Sequence, residues 1–306
     1  MLMLSIMTME GRTTPENVRV APLGDFIFET DMRAGHAYSM FVPSHPQGFS
    51  EQMSRDLDQT TFQEMPDIIK TALEEGSVFV LGEPGSGKSH LVDDLTMACV
   101  ANDVPYATLR VHINGGKAEG PANARKMFDR FRGLLGDDPG ARALVVIDNV
   151  DYLGYKGHRS GGRTRRYAAE MDTLLTELVS DPRLVMVGTG HDDEWREGRW
   201  RWNDDAINSH AQHAVELFRS QVVFEGHLSL LGLMDLVRER AQAAGNGEVS
   251  KGDAARVVRL LTQLGLDKYF YAKHVRVAAL LTNPSAEIER VEAGRSERKN
   301  GTHKNN

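Results

Sequence analysis

Eight residues, GEPGSGKS from Gly82 to Ser89, restrict the possible folds more than any other part of the chain. They follow the apolar run SVFVL and precede the helix-like stretch HLVDDLTMACV. A short continuous apolar run is typical of a strand buried on both faces. The spacing G-x-x-x-x-G-K-[ST] is met by Gly82, Gly87, Lys88 and Ser89. Strand, glycine loop and helix in this order predict a loop that binds phosphate groups through its backbone amides.

Each part of this loop has an expected role in binding ATP. Lys88 is long enough to reach the β- and γ-phosphates, and the Ser89 hydroxyl can bind Mg²⁺. A chance glycine turn is the alternative explanation, but the flanking strand and helix favour a phosphate-binding loop. We therefore expect the whole stretch to contact the nucleotide, namely Gly82, Glu83, Pro84, Gly85, Ser86, Gly87, Lys88, Ser89 and His90.

An acidic residue at the end of another buried strand is expected to complete the magnesium site. Asp148 ends the apolar run ALVVI and has the required position. A strand-end aspartate that only caps the backbone is the alternative. Because Asp148 occurs together with the glycine loop, metal binding is favoured, and ATP and Mg²⁺ are the expected cofactors.

The order of apolar segments predicts four regions. Residues 1–50 contain several prolines and are expected to form a flexible arm. Residues 51–226 alternate strands with helices, which predicts an α/β core with a parallel sheet. Residues 227–285 contain three helical segments and are expected to form an all-helical lid domain. Residues 286–306 are polar, and we expect them to be disordered.

Composition excludes several classes of protein. No apolar run approaches the length of a membrane span, and the start MLMLSIM lacks the features of a secretory signal. Cys99 is the single cysteine of the 306 residues, which excludes an internal disulfide. A cytoplasmic location is expected. The net charge of −7 argues against a protein that coats DNA.

Three further stretches resemble the AAA+ ATPases, a branch of the P-loop NTPases, and within them the core AAA group. EGPANARKMFDRF is similar to that group's GESEANVRKLFDKA, with Gly120, Asn123, Arg125 and Phe128 in matching places. VVIDNVDYL resembles LFIDEIDAL, and MDTLLTELVSDPRLVMVGTG resembles VNQLLTELDG followed by VIVIGATN. The resemblance covers residues 60–285.

The resemblance implies a sheet with strand order 5-1-4-3-2, a helical lid over the nucleotide, and a ring or partial ring of identical subunits. It also implies an arginine that acts on the neighbouring subunit's nucleotide. Arg219 in ELFRSQVVF holds the matching position, with Arg199 and Arg201 as alternatives. In the lid, Lys273 or Arg276 could contact the γ-phosphate, although the core AAA group often lacks this contact.

The chain departs from the family where catalysis is expected. The family's water-activating glutamate is replaced by Asn149, whose amide can orient a water but cannot accept its proton. Asp151 is expected to point elsewhere. The family's sensor at the end of the fourth strand corresponds to Thr189 or His191. The sequence therefore leaves open whether the protein hydrolyses ATP readily or acts as a slow ATP-dependent switch.

The client is not identified by the sequence. The family's threading loop corresponds to VHINGGKA, which has no aromatic residue. The basic loop from Lys156 to Arg166 could contact nucleic acid, an acidic protein segment or only solvent. The expected function is ATP-driven remodelling or loading of a macromolecular complex. A slow switch or scaffold, and a DNA-acting helicase loader or transposition-type ATPase, are the alternatives.

Overall fold

The computed structural model describes part of the chain. The described residues are 27–31, 36–43, 61–111, 119–151, 161–191, 195–196, 199–200, 213–243, 249–269, 288–289 and 293. Of the expected regions, the tail from 286 onwards and the third helical segment of the lid lie almost wholly outside these residues. No helix among the described residues is long and apolar enough to cross a membrane.

A central sheet of seven strands organises the described part of the chain. The strands are β1 (Ile27–Asp31), β2 (His36–Phe41), β3 (Ser77–Gly82), β4 (Tyr106–Val111), β5 (Ala143–Asp148), β6 (Leu184–His191) and β9 (Ser220–Val223). Their order in the sheet is β1-β2-β4-β5-β6-β3-β9. A separate pair, β7 (Trp195–Arg196) and β8 (Arg199–Trp200), contains two of the three tryptophans.

Five of these strands are parallel and follow the predicted order 5-1-4-3-2, as β9, β3, β6, β5 and β4. Four of the five are almost completely buried, which explains their continuous apolar sequences. The carboxyl ends of parallel strands meet at one edge of a sheet. The residues that follow β3 and β5 are therefore brought together there.

The N-terminal strands correct, for residues 27–31 and 36–41, the expectation that residues 1–50 form a flexible arm. β1 and β2 form an antiparallel hairpin, and β2 pairs antiparallel with β4 along its full length. Met40 and Phe41 are buried in this pairing. Local periodicity does not predict these strands, because they are stabilised by pairing with a distant edge of the sheet.

Helices cover both faces of the sheet. They are α1 (Met65–Glu75), α2 (Lys88–Ala101), α3 (Glu119–Leu135) and α4 (Gly161–Val179). One apolar cluster packs α1 and α2 on one face, and a second packs α3 and α4 on the other. Cys99 of α2 lies in the first cluster, where burial raises the pKa of its thiol, so it is not a reactive cysteine.

Two further helices follow the sheet, α5 (Leu230–Ala243) and α6 (Lys251–Gln263). Ser250 caps α6, and its hydroxyl accepts a hydrogen bond from the Asp253 amide. Both helices bury apolar residues against α1 and α2, in the same cluster that packs on the sheet. The first two of the three predicted helical segments are therefore helices that pack directly on the α/β core.

Two adjacent leucines of α3 test the packing of this helix in the second apolar cluster. Leu135 is buried in the second cluster, whereas Leu134 is half exposed. We expect Leu135→Ala to lower the free energy of unfolding by about 2 kcal/mol or more, because it leaves a cavity. Leu134→Ala should change it by less than about 0.5 kcal/mol. Urea unfolding of both variants measures the difference, and equal effects would contradict this assignment of the α3 core face.

Candidate functional site

The glycine loop connects β3 directly to α2 at the carboxyl edge of the sheet. Gly85 and Gly87 have φ values of +83° and +98°, which side-chain-bearing residues rarely adopt. A Cβ on Gly82 would lie 2.5 Å from the Phe224 carbonyl oxygen. A Cβ on Gly87 would lie within 2.9 Å of ring atoms of Phe62 and Tyr269. Glycine is therefore required at these positions by backbone conformation or by space.

Lys88 is folded into the loop that precedes it. Its ammonium group donates hydrogen bonds to the carbonyl oxygens of Gly82, at 2.6 Å, and Glu83, at 2.9 Å. Nearby, the Ser86 hydroxyl is buried and has no hydrogen-bond partner among the described residues. A concave backbone with an amine at its centre, a buried hydroxyl without a partner and the amino end of α2 fit a phosphate group.

The carboxylate of Asp148 is fully buried at the end of β5 and is bound at both oxygens. Oδ1 accepts a hydrogen bond from the Thr189 hydroxyl at 2.6 Å, and Oδ2 accepts one from Arg110 Nε at 2.7 Å. The Thr189 hydroxyl in turn accepts a bond from the Asn149 backbone amide at 3.0 Å. Thr189, a candidate sensor, thus directs its only hydroxyl proton to Asp148.

Arg110 is one of two site residues that the sequence analysis missed. It lies in β4, next to the end of β5, and contacts the first turns of α2 through Asp93 Oδ1 at 3.0 Å and the Ser89 carbonyl oxygen at 3.3 Å. Burial lowers the pKa of Arg110, but the carboxylates of Asp148 and Asp93 outweigh burial and raise it overall. The available signal was a charged residue within the otherwise buried run YATLRV.

Asn149 and His191 lie on the cleft side of the strand ends. Asn149 has a φ of +63°, and its side-chain amide donates to the Val111 carbonyl oxygen at 3.3 Å. His191 Nδ1 lies 2.6 Å from Asp151 Oδ2, and the Asp151 side chain is almost completely buried. Asp151 therefore orients the candidate sensor His191 and does not itself line the cleft, which agrees with the expectation that it points away from the catalytic position.

A cleft opens between the loop and these strand ends. The aromatic ring of Tyr269, a residue that follows α6, forms one side of this cleft. It stacks on the His90 ring at a centroid distance of 5.7 Å. Phe62 contacts both rings, and the Tyr269 amide donates to the Gly226 carbonyl oxygen at 2.6 Å. The cleft is lined by Gly85, Gly87, Lys88, Ser89, His90, Asn149, His191 and Tyr269. Of the lining residues, Tyr269 was not predicted.

The candidate oxygen ligands for Mg²⁺ are Ser89 and Asp148. A hydroxyl and a carboxylate are suitable donors for this cation, which usually takes only one or two protein ligands besides phosphate and water. Among the described residues there is no group of three or more His, Cys, Asp or Glu side chains that could hold a metal ion. In such a site, Ser89 and Asp148 would hold the ion together with phosphate oxygens and water.

Arg219 lies at the amino ends of the parallel strands, whereas the cleft lies at their carboxyl ends. It directly precedes β9, whose first residue pairs with Val78 near the start of β3, and its guanidinium donates to the Glu75 carbonyl oxygen at 3.1 Å. Such a position does not serve the cleft of the same subunit. Of the alternative arginines, Arg199 lies in β8, whereas Arg201 lies outside the described residues. Lys273, Arg276 and residues 156–160 of the basic loop also lie outside them.

Known proteins of similar structure share little sequence with this chain. No family model matches the chain, and no curated protein matches it. Similar solved structures include the AAA domain of FIGL-1, at 16% identity over 80% of this chain and 83% of that one, with a TM-score of 0.46. AMPPCP-bound DnaA from Aquifex aeolicus is 16% identical over 76% of this chain and 64% of that one, with a TM-score of 0.39. C. elegans PCH-2 is 12% identical over 85% of this chain and 74% of that one, with a TM-score of 0.40.

The fold is assigned from the chain's own strand order, from its glycine loop after the central strand and from the helices that follow the sheet. The described residues have an α/β fold of the P-loop NTPase type, with helices packed after the sheet. Within this fold, the described residues bring Lys88, Ser89, Asn149 and His191 to one cleft, with Asp148 buried beneath it. Arg219 remains apart from them.

Gly226 joins the sheet to the helices that follow it and lies against the glycine loop. Its φ is +73°, and a Cβ there would be 2.0 Å from the Ser86 carbonyl oxygen. We expect Gly226→Ala to lower the free energy of unfolding by at least about 2 kcal/mol, from backbone strain and steric overlap. Thermal and urea unfolding measure the loss.

Gly252, in the first turn of α6, provides the matched control. A Cβ added there would lie 3.8 Å from the nearest atom, and the φ of Gly252 is not positive. Gly252→Ala should leave stability unchanged or raise it by up to about 1 kcal/mol, because alanine favours helices. A Gly226→Ala variant as stable as Gly252→Ala would contradict the close approach.

Proposed function

We propose that this protein binds ATP with Mg²⁺ in the cleft and uses ATP binding and hydrolysis to remodel or load a macromolecular complex. The observation that supports it most directly is the glycine loop, with the Lys88 amine at its centre and the buried Asp148 beneath the cleft. The sequence resemblance to the AAA+ ATPases supports the proposal further, because in that family such a loop binds a nucleoside triphosphate.

In this proposal, binding depends on an exchange of partners at Lys88. Its ammonium group contacts two backbone carbonyl oxygens, and both contacts can be replaced by phosphate oxygens. Ser89 and Asp148 would hold Mg²⁺, which supplies positive charge to the phosphates when bound. Tyr269 and His90 form a stacked pair beside the loop, where an aromatic base can pack.

Hydrolysis would proceed without the family's water-activating glutamate, because Asn149 occupies that position. The Asn149 amide is bonded to the backbone of β4 and cannot accept a proton. His191 lines the cleft, and its ring is held by the buried carboxylate of Asp151. We propose that His191 orients the attacking water. Arg219 would act on the nucleotide of a neighbouring subunit, because it lies far from the cleft of its own subunit.

The slow ATP-dependent switch is the second candidate function. The engagement of the Asn149 amide by Val111 favours it, because this amide then holds the end of β4 rather than a water molecule. The two candidates share the nucleotide site and differ in turnover rate, which a substitution at position 149 can distinguish.

Loss of nucleotide binding tests the site itself. We expect Lys88→Ala to weaken ATP binding by about tenfold to a hundredfold, because a charged hydrogen bond contributes about 1.5–3 kcal/mol. Calorimetry with ATP and Mg²⁺ measures the change. Lys70→Ala is the matched control, since Lys70 is an exposed lysine of α1 and should not affect binding. Equal affinities of the two variants would rule out this location for the phosphates.

Substitution at position 149 tests the switch. If the missing base limits turnover, Asn149→Glu should raise steady-state ATP hydrolysis by about a hundredfold or more, within the usual range of general base catalysis. Asn149→Gln has nearly the same size without the base, and it should give no gain. A rate for Asn149→Glu that stays at the wild-type level would argue against the slow switch.

A further inference from the structure

The buried carboxylate of Asp148 already has a positively charged partner. Arg110 Nε lies 2.7 Å from Asp148 Oδ2, and the Asp148 side chain has no exposed surface. The other oxygen is bonded to the Thr189 hydroxyl. A residue expected to attract a divalent cation therefore has its charge compensated from within the chain.

The same guanidinium also reaches the helix that carries the second candidate magnesium ligand. Arg110 Nη2 lies 3.0 Å from Asp93 Oδ1 and 3.3 Å from the Ser89 carbonyl oxygen. It thus joins the end of β5 to the first turns of α2. The guanidinium thus lies between the Asp148 carboxylate and the backbone of Ser89, the two residues that would hold Mg²⁺ in the proposed site.

We propose that Arg110 is a built-in counter-charge that makes ATP binding to this protein nearly independent of Mg²⁺. The inference rests on the proposed function, because it concerns the same nucleotide site. Without a metal, Arg110 holds Asp148 and Ser89 in position and compensates the carboxylate. When Mg²⁺ accompanies the nucleotide, it meets an Asp148 whose charge is already neutralised and a guanidinium that repels it.

Arg110 acts as a positioning residue, through Asp148, rather than as a group that touches the reacting atoms. The measurable consequence is the magnesium coupling ratio, defined as the ATP dissociation constant in EDTA divided by that in Mg²⁺. By the same thermodynamic cycle, this ratio equals the factor by which binding to the protein raises the affinity of ATP for Mg²⁺. It is an equilibrium quantity and does not depend on hydrolysis.

The wild-type protein gives the first test. A fluorescent ATP analogue is titrated in EDTA and in Mg²⁺, and the expected coupling ratio is less than about tenfold, near the lower end of usual couplings. A larger ratio would overturn the inference. Failure of the analogue to bind under either condition would instead overturn the proposed function, so the two failures are distinguishable.

Substitution of Arg110 gives the second test. Arg110→Gln removes the charge and keeps a polar side chain, and it should raise the ratio by about tenfold as Asp148 becomes available to Mg²⁺. Arg110→Lys keeps the charge and should stay near the wild-type value. An Arg110→Gln ratio equal to wild type, in a protein that still binds ATP, would overturn the inference.

Two further variants control for charge and folding. Arg125→Gln removes another arginine from an ion pair, with Glu177 on the face of α3 and α4, and should leave the ratio unchanged. If Arg110→Gln does not fold by circular dichroism, the double variant with Asp148→Asn removes both charges. Its ratio should remain below about tenfold, and a larger value would show that the coupling does not depend on this pair.

Discussion

The buried carboxylate of Asp148 is the constraint on which the functional edge of the sheet depends. An ionised side chain in the interior is costly unless it is paired and hydrogen-bonded. Here the partners come from two neighbouring strands, through Arg110 of β4 and Thr189 of β6. Arg110 continues the connection to α2. One acid thereby fixes the relative positions of the strand ends and of the helix that follows the glycine loop.

The helical part of the molecule meets the loop on its other side. Phe224 follows β9, and its amide bonds to the Leu81 carbonyl oxygen, while its own carbonyl oxygen packs against Gly82. Tyr269 and Phe62 close over Gly87. Residues from three distant parts of the sequence thus surround one short loop, and this arrangement explains why small residues are required there.

Features that depend on local spacing were predicted from the sequence. The loop from Gly82 to Ser89, the buried strands and their order follow from short motifs and from a family resemblance. Arg110, Tyr269 and the N-terminal hairpin were missed because their positions depend on pairing between distant segments. The contact between Asp151 and His191 was missed for the same reason, since the two residues are forty positions apart in the chain.

The role of Asn149 cannot be judged only by comparison with the family's glutamate. The family places a glutamate at this position, and the sequence suggested only a weaker catalytic group. In the structure the residue adopts a left-handed backbone conformation, which asparagine tolerates better than most residues, and its amide bonds to the end of β4. Its identity is therefore explained by local backbone geometry as well as by chemistry.

The close approach of Gly226 to Ser86 has a mechanical consequence. The backbone at the start of the helical part rests on the backbone of the glycine loop, with no side chain between them. Neither segment can rotate far without displacing the other. A shift of the loop backbone would therefore be transmitted to the segment that leads into α5, and an optical probe on that helix would report it from a distance.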